Sequence, residues 1–494
     1  MIENSVNLTK KQPKQIEPMI KRRDFLKKSS LAGASILMSP QLSFSQTDKF
    51  VSRRPNKNKR NFTSNSVENT ILQIKPQIKN EELAWMFENC YPNTLDTTID
   101  FELIDGKPDT FVITGDIDAM WLRDSTAQVW PYMPLIAKEK KLKQLVEGLV
   151  NRQVKCVLLD PYANAFYKDT KRVSHWDSDR PKLKPGVHER KWEIDSLCYV
   201  VRLSNEYYNQ TKDNLVFGKE WDKAMRLIVK TFRTEQRKNG KSPYYFVRKT
   251  NAMIDAPVFS GKGRPIKPVG LIASMFRPSD DATLFPFLIP SNLFAAQSLK
   301  QLAGIYTSVL KDNEFATECE AFANEIEQAI KDYAISEHLD FGKIYAYEAD
   351  GFGNKIFMDD ANVPSLMSLA YLGVHKTNDS LYKHTRKFLL SDNNPYYLKG
   401  KAAEGQASPH SGKERIWPMG IILRAMTSTD DTEIKQCLKW LKETHAGTGF
   451  MHESFNKDDP EDYTRKWFAW ANTLFGELII KIYHERKHIL TADF

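Results

Sequence analysis

The amino-acid sequence predicts an all-α protein in which an inner ring of helices is wrapped by an outer ring. Apolar residues recur at three- and four-residue steps along most of the chain beyond residue 66. Alternate helices differ in character. Those beginning near residues 139, 219, 312, 379 and 430 are amphipathic and rich in Lys and Glu, as an outer layer requires. Those near 123, 291, 415 and 467 are apolar nearly all round, which indicates an inner layer.

Twelve helices are expected, with few strands between them. They are predicted over 66–89, 123–137, 139–159, 193–211, 219–238, 291–310, 312–337, 363–373, 379–390, 415–428, 430–445 and 467–485. The segments 101–103 and 110–113, on either side of Asp105 and Gly106, resemble a β-hairpin. No linker rich in Pro, Gly or Ser interrupts residues 66–494, so we expect them to form one domain.

The first apolar helix follows a charged stretch, TGDIDAMWLRDS, over residues 114–125. Ser125 is placed to cap this helix, and Asp124 to favour its N-terminus. Trp121 and Arg123 on the same turn need another explanation. A ring face beside an arginine and carboxylates suits a polyhydroxylated ligand. The stretch predicts a polar binding site without identifying the ligand.

A loop crowded with charged and aromatic residues precedes each of the six expected inner helices. The five further loops span residues 188–195, 276–281, 358–362, 408–417 and 452–467. Surface loops are often polar, so one such loop would mean little. If the inner helices run parallel, however, all six loops meet at one mouth of the barrel. The sequence therefore predicts a deep polar and aromatic pocket there.

The net charge of +9 is concentrated near the N-terminus of the 494-residue chain. Residues 1–45 and 46–60 contribute +5 each, which leaves −1 for the remainder. A nearly neutral body gives no electrostatic attraction to a polyanion, so no nucleic-acid partner is expected.

The basic N-terminus has the pattern of an export signal. Arg22 and Arg23 form a twin-arginine pair, an apolar run follows over 31–38, and Ser43 and Ser45 give a cleavage-site spacing. The run is too short to span a bilayer and no Cys follows it, so no stable membrane anchor is expected. We expect the twin-arginine translocase to export the chain to the periplasm or beyond, with residues 1–45 removed. Residues 46–65 should form a flexible basic lead-in.

No metal or cofactor is expected from the motifs. The five cysteines are scattered and contain no C-x-x-C pair, which predicts buried small side chains rather than disulfides or a zinc site. His188, His410 and His452 lack the close spacing of metal ligands. No glycine-rich phosphate motif follows a strand.

Three sets of motifs together resemble glycoside hydrolase family 125. They are TGDIDAMWLRDS, FRPSDDAT (276–283) with IPSN (289–292), and GFMHESF (449–455) with YTRKWFAWAN (463–472). The resemblance runs from about residue 66 to 486 and implies an (α/α)6 barrel of six helical hairpins with minor β-hairpins in its loops. It implies a metal-independent, exo-acting α-1,6-mannosidase that inverts the anomeric carbon. The substrate would be an α-mannoside oligosaccharide, such as a fragment of an N-glycan.

The resemblance also implies roles for individual residues. Asp280 would be the general acid and Glu453 the general base. Substrate-binding positions would be Asp116, Trp121, Arg123, Asp124, Asp281, His410 and Arg465. Asp118 departs from the family pattern, where an uncharged residue such as Pro is expected. That departure concerns the sugar contacts rather than the chemistry.

Two carboxyl groups on separate hairpins suit an inverting hydrolase on chemical grounds as well. One must be protonated at the leaving oxygen and the other ionised to hold water, about 6.5–9.5 Å away. Consecutive residues in an extended loop point to opposite sides, so only one of Asp280 and Asp281 should face the sugar. Spacing alone does not choose Glu453 over three other carboxylates: Glu193, Asp195 and Asp359.

Three other functions are compatible with parts of the pattern. Acidic pairs beginning at Asp280 and Asp359 on an all-α body are typical of Mg²⁺–diphosphate sites, but Leu284 and Val363 stand where a further ligand would be needed. A barrel that binds sugar without cleaving it could use four tryptophans: Trp121, Trp417, Trp467 and Trp470. Another six-hairpin glycosidase specificity is the third alternative.

Overall fold

The computed structural model describes residues 50–492, and helices form its framework. They are α1 (Asn65–Ile74), α2 (Glu81–Cys90), α3 (Asn93–Thr97), α4 (Leu122–Val129), α5 (Lys140–Leu159), α6 (Ile194–Thr211), α7 (Lys219–Glu235), α8 (Val258–Gly261), α9 (Ile289–Ile305), α10 (Asn313–Tyr333), α11 (Ser380–Leu389), α12 (Pro418–Met426), α13 (Asp431–Glu443), α14 (Ala469–Glu485) and α15 (Lys487–Leu490). The one-turn α8 contains two residues with left-handed φ, Phe259 and Ser260. The expected export signal over 1–45 lies outside the described residues.

Helices α4, α6, α9, α12 and α14 form the inner ring. Helix α4 packs against α6 and α14, α6 against α9, and α12 against α14. A segment containing the short 3-10 helix Met367–Leu369 contacts both α9 and α12 and completes the ring. Helices α2, α5, α7, α10, α11 and α13 take the outer positions. The predicted (α/α)6 barrel of six helical hairpins is therefore confirmed.

The prediction of a helix over 363–373 is wrong, although the prediction that this segment is buried is confirmed. Within that range the structure has only the turn Met367–Leu369, while Leu366, Met367 and Leu369 are fully buried. The Asp359 carboxylate accepts hydrogen bonds from the backbone N–H groups of Leu366 and Met367, at 2.8 and 3.0 Å. A side chain thus satisfies donors that a helical turn would otherwise satisfy.

Proline ends or divides two other predicted helices. The expected helix over 66–89 is α1 and α2, separated by the 3-10 helix Lys75–Gln77 that contains Pro76. The expected helix over 123–137 is α4 followed by the 3-10 helix Trp130–Lys138, which holds Pro131 and Pro134. Proline has no N–H to donate and clashes with the preceding turn, so the α-helical ladder stops there.

The predicted cap at Ser125 is also wrong. Helix α4 begins three residues earlier, with Trp121 at the N-cap and no side-chain cap hydrogen bond. Ser125 lies inside the first turn, where its hydroxyl donates to the Leu122 carbonyl. Asp124 does occupy the first turn, as predicted.

The strands are short and lie in the connections between helices. They are β1 (Ile99–Ile104), β2 (Lys107–Val112), β3 (Met120–Trp121), β4 (Ala165–Phe166), β5 (Val187–Glu189), β6 (Phe287–Leu288), β7 (Ile335–His338), β8 (Gly342–Tyr345), β9 (Glu348–Ala349), β10 (Lys355–Ile356), β11 (Tyr397–Lys399), β12 (Glu404–Gln406), β13 (Arg415–Ile416), β14 (Ser454–Asn456) and β15 (Tyr463–Thr464). Strands β1 and β2 pair antiparallel in the predicted hairpin. The sheets β3-β4-β5 and β13-β14-β15 tie neighbouring loops together ahead of α4, α6, α12 and α14.

Residues 50–64 do not form the flexible lead-in that the sequence predicted. The Arg54 guanidinium donates to the Asp96 carboxylate at 2.7 Å and to Glu68 at 2.5 Å, and its side chain is 5% exposed. Phe62 is buried, and the Trp85 indole donates to the backbone carbonyl of Val51 at 2.6 Å. Some basic residues of the expected lead-in, such as Arg54 and Arg60, instead form ion pairs with the barrel.

All five cysteines are buried and unpaired, in agreement with the prediction from their spacing. In residues 50–492 no helix is both long and apolar enough to cross a bilayer.

Candidate active site

The six loops ahead of the inner ring surround one cavity of about 520 Å³. Every loop contributes to its wall. Representative residues, in loop order, are Trp121, Lys191, Asp280, Asn362, His410 and Glu453. The predicted meeting of these loops at one mouth is confirmed. The volume lies within the range of small-molecule sites, about 300–1,000 Å³.

Arg123 lies at the centre of a buried charge cluster in this wall. Its Nη1 donates to Glu193 at 2.6 Å and to Asp195 at 3.0 Å, while Nη2 donates to Asp280 at 3.2 Å. Arg123 is 3% exposed and the Glu193 and Asp195 side chains are fully buried. Arg123, the second residue of helix α4, thereby fixes carboxylates from the second and third loops.

Asp280 faces the cavity from a tight turn. Its φ is 65°, its backbone N–H donates to the Arg277 carbonyl, and Asn164 donates to its Oδ1 at 3.1 Å. Aspartate tolerates this left-handed conformation better than most residues. Burial would raise the pKa of Asp280, but the positive charges of Arg123, Lys191 and His410 hold it well below its usual range.

Asp281 points away from the cavity, so only one carboxylate of the pair faces it, as expected, although the backbone here is a tight turn and not the extended loop that the sequence argument assumed. Its Oδ1 lies 3.0 Å from Nδ1 of His410, and His410 lines the cavity. Burial opposes a charge on His410, but the contact with Asp281 outweighs it and raises the pKa of His410 to about 9. Asp281 therefore orients a cationic imidazole instead of lining the cavity.

Glu453 reaches the cavity from the opposite hairpin. Thr464 donates to its Oε2 at 3.0 Å and Arg465 Nη1 to its Oε1 at 3.4 Å. Arg465 is itself held by Asp116, which accepts from Nε at 3.0 Å and from Nη2 at 2.5 Å. Glu453 and Arg465 line the cavity, whereas Asp116 stands behind Arg465 as its anchor.

Asp124 and Trp121 complete the set that the sequence singled out. Both line the cavity. Burial, opposed by Arg123, raises the pKa of Asp124 to about 6. The Trp121 ring packs edge-on against His188, with ring centroids 5.1 Å apart. Asp118, the departure from the expected motif, is exposed and paired with Arg172 at 2.6 Å, away from the cavity wall.

The sequence did not single out Lys191 as a site residue. Lys191 lines the cavity and donates to Asp255 at 2.8 Å. Glu193, weighed only as a rival base, contacts Arg123 behind Asp280. Both lie in the second loop, whose charge density was recognised, but nothing in the one-dimensional pattern shows which of its charges face inward.

The second acidic pair, Asp359 and Asp360, accepts hydrogen bonds from other groups of the protein. Gln406 and two backbone N–H groups donate to Asp359, while Ser408 and Asn362 donate to Asp360. Burial raises the pKa of Asp359 to about 7, despite these hydrogen bonds. In the described part of the chain, no three or more His, Cys, Asp or Glu side chains are grouped to hold a metal ion.

Three comparisons relate this chain to known proteins. A family model for metal-independent α-mannosidases (glycoside hydrolase family 125) matches residues 80–480. The meiotically up-regulated gene 157 protein of Schizosaccharomyces pombe is 41% identical over 459 residues, covering 89% of this chain and 90% of the yeast protein. A solved metal-independent α-mannosidase from Streptococcus pneumoniae, in a non-productive complex with α-1,6-mannobiose, is 39% identical. It superimposes with a TM-score of 0.82 over 86% of this chain and 100% of its own.

Proposed function

The chain belongs to glycoside hydrolase family 125, the metal-independent α-mannosidases, and from that premise we propose that it is an exo-acting α-1,6-mannosidase that inverts the anomeric carbon. The α-1,6 linkage is supported by the ligand of the pneumococcal relative. Exo action is supported by the cavity, since loops on all six sides accommodate a chain end better than an internal stretch.

The observation that carries the proposal is the pair Asp280 and Glu453, which line one cavity from the third and sixth loops. An inverting enzyme needs two carboxyl groups separated widely enough to hold water between one of them and the sugar. Two different hairpins of a barrel can provide such a separation. Arg465, fixed by Asp116, keeps the Glu453 carboxylate oriented.

In the proposed reaction Asp280 is the general acid and Glu453 the general base. Glu453 removes a proton from water as the water oxygen bonds to the anomeric carbon. The bond from that carbon to the leaving oxygen breaks on the opposite face, and Asp280 protonates the leaving oxygen. An α-linked substrate therefore releases β-mannose, with no glycosyl-enzyme intermediate.

Around the mannose, ionic and aromatic side chains provide recognition. The Asp124 carboxylate can accept hydrogen bonds from sugar hydroxyl groups. Arg465 and the cationic His410 can donate hydrogen bonds to them. Trp121 supplies an apolar face for the C–H side of the ring. The aglycone would be the remainder of an α-mannoside oligosaccharide, such as one derived from an N-glycan.

A panel of α-linked mannobioses tests this function. We expect release of mannose from the α-1,6 isomer at a kcat/KM at least tenfold above that for the α-1,2 and α-1,3 isomers, unchanged by EDTA. Proton NMR at early times should show β-mannose as the first product. First release of α-mannose would contradict the inverting mechanism, and preference for another linkage would contradict the specificity. Binding of mannobiose without any cleavage would favour a non-catalytic sugar-binding barrel.

A further inference from the structure

We infer that Glu193 is a positioning residue that stores the catalytic proton and supplies it to Asp280, an inference that rests on the proposed function. Both carboxyl groups lie on the guanidinium of Arg123, whose Nη1 donates to Glu193 at 2.6 Å and whose Nη2 donates to Asp280 at 3.2 Å. Arg123 also binds Asp195, so three carboxyl groups share one buried cation, and their mutual repulsion favours a proton on one of them. Asp280 and Glu193 together therefore hold one proton next to the cavity.

The surroundings place that proton on Glu193 in the free enzyme. Glu193 is fully buried at the N-terminal boundary of α6, and its Oε2 accepts from Arg123 at 2.6 Å and Ser196 at 2.9 Å. Its Oε1 receives no hydrogen bond from a donor within residues 50–492. A buried anionic oxygen without a donor is costly, whereas a protonated one can donate.

Asp280 has the opposite surroundings. Arg123 and Asn164 both donate to its Oδ1, at 3.2 and 3.1 Å. Its side chain is 23% exposed, while that of Glu193 is fully buried. Burial raises the pKa of Glu193 well above its usual range despite Arg123, and nearby cations keep that of Asp280 low. The charged and titratable groups around the pair are Arg123, Asp124, His188, Lys191, Asp195, Tyr244 and His410.

The proposed step conserves every proton. With substrate bound, the shared proton moves from Glu193 to Asp280 and then to the leaving oxygen as its bond to the anomeric carbon breaks. Water gives one proton to Glu453 and its oxygen to the sugar. Asp280 and Glu193 are then both ionised, which the low-dielectric wall disfavours. The proton on Glu453 returns to the pair through solvent after the product leaves.

The test is Glu193→Gln, which keeps the side-chain shape and a hydrogen-bond donor but cannot transfer a proton. For α-1,6-mannobiose we expect kcat to fall about 100- to 1,000-fold, in the range of general acid catalysis. For 2,4-dinitrophenyl α-mannoside, whose leaving group needs no protonation, the fall should stay below about tenfold. KM should change less than about threefold, and the alkaline limb of the kcat profile with mannobiose should move to lower pH.

Asp195→Asn is the matched control, because Asp195 is a second fully buried carboxylate on the same nitrogen of Arg123. It should affect the two substrates alike. Glu193→Asp retains a carboxyl group that can carry the proton but shortens the side chain, and should show the same substrate discrimination to a smaller degree. It replaces Glu193→Gln as the test if the amide variant does not fold.

Equal losses on both substrates in the Glu193 variants, or an unmoved alkaline limb, would overturn the inference and leave Glu193 a structural residue. That outcome is distinct from failure of the proposed function, in which the unmodified protein itself would not cleave mannobiose.

Discussion

Asp280 and Asp281 show how one turn gives adjacent carboxylates different tasks. The left-handed φ of Asp280 directs its side chain into the cavity, beside Arg123. Asp281 is directed backwards onto His410. The same division occurs on the opposite wall, where Glu453 faces the cavity and Asp116 holds Arg465 from behind. In both cases one carboxylate is available to the sugar and another fixes a cation next to it.

Replacing the two proposed catalytic carboxylates should give different substrate dependences. Asp280→Asn should lower kcat on α-1,6-mannobiose by about 100- to 10,000-fold, and much less on 2,4-dinitrophenyl α-mannoside, because only the first leaving group needs a proton. Glu453→Gln should lower both rates alike, because activation of water is common to both reactions. Steady-state kinetics on the two substrates measure the difference.

Asp118→Asn serves as the control for these variants. It makes the same carboxylate-to-amide change at an exposed position outside the cavity wall, and both rates should stay within about twofold of the unmodified enzyme. Equal losses on the two substrates in Asp280→Asn would exclude it as the general acid. A selective loss on mannobiose in Glu453→Gln would reverse the two assignments.

The sequence predicted cavity residues better than the residues that support them. Trp121, Arg123 and Asp124 were found because charge and an aromatic ring share one turn, and all three line the cavity. Lys191 was not singled out, and Glu193 was considered only as an alternative base, because their importance depends on contacts with Asp255 and Arg123, far away in the chain. Three-dimensional contact, rather than local composition, separates those residues from other charges in their loop.

At the scale of elements, apolar pattern predicted burial more reliably than conformation. The run beginning at Pro364 is buried and belongs to the inner ring, yet it forms only a short 3-10 turn. Ser365 and Ser368 exchange backbone-to-hydroxyl hydrogen bonds at 2.8 and 3.2 Å. Together with Asp359 they accept the hydrogen bonds of the backbone N–H groups in this segment. Periodicity cannot reveal such side-chain substitutes for helical hydrogen bonds.

The N-terminal segment 50–64 should stabilise the barrel through Arg54. Asp96 is 3% exposed, and Arg54 donates to it at 2.7 Å while also contacting Glu68. Arg54→Ala would leave the Asp96 carboxylate buried without its main partner. Breaking a buried ion pair in this way costs about 3–5 kcal/mol. We expect a loss of that order in the free energy of unfolding, measured by urea denaturation.

Arg53→Ala is the neighbouring control. Arg53 is exposed, and its guanidinium contacts only the ring of Trp85 among the described aromatic faces, at 5.4 Å. Such an exposed cation–π contact is worth about 0.5–1 kcal/mol. If Arg54→Ala were no more destabilising than Arg53→Ala, segment 50–64 would contribute little to stability, and the flexible lead-in first predicted would describe its energetics better.

At the scale of the whole molecule, the two-ring alternation of helices was sufficient to predict the barrel. An amphipathic helix needs one apolar neighbour, and an all-apolar helix must be surrounded, so a closed inner ring satisfies both patterns. The same reasoning predicted that the six loops preceding the inner helices meet at one mouth of the barrel. The contacts of the basic residues were predicted less completely, since Arg54 and Arg60, assigned to a flexible basic lead-in, both pair with Glu68.

The charge that precedes this segment leads to a prediction about export. We propose that Arg22 and Arg23, followed by the short apolar run over 31–38, direct the chain to the twin-arginine translocase. In a bacterial host with that translocase, Arg22→Lys combined with Arg23→Lys should hold the protein in the cytoplasm, although the net charge is unchanged. Lys27→Arg with Lys28→Arg, equally neutral in charge, should leave export intact. Cell fractionation measures the distribution, and N-terminal sequencing of the exported form should place cleavage between about residues 40 and 50. Normal export of the Arg22 and Arg23 double variant would contradict the assignment, because a signal that acts only through positive charge would tolerate lysine at both positions.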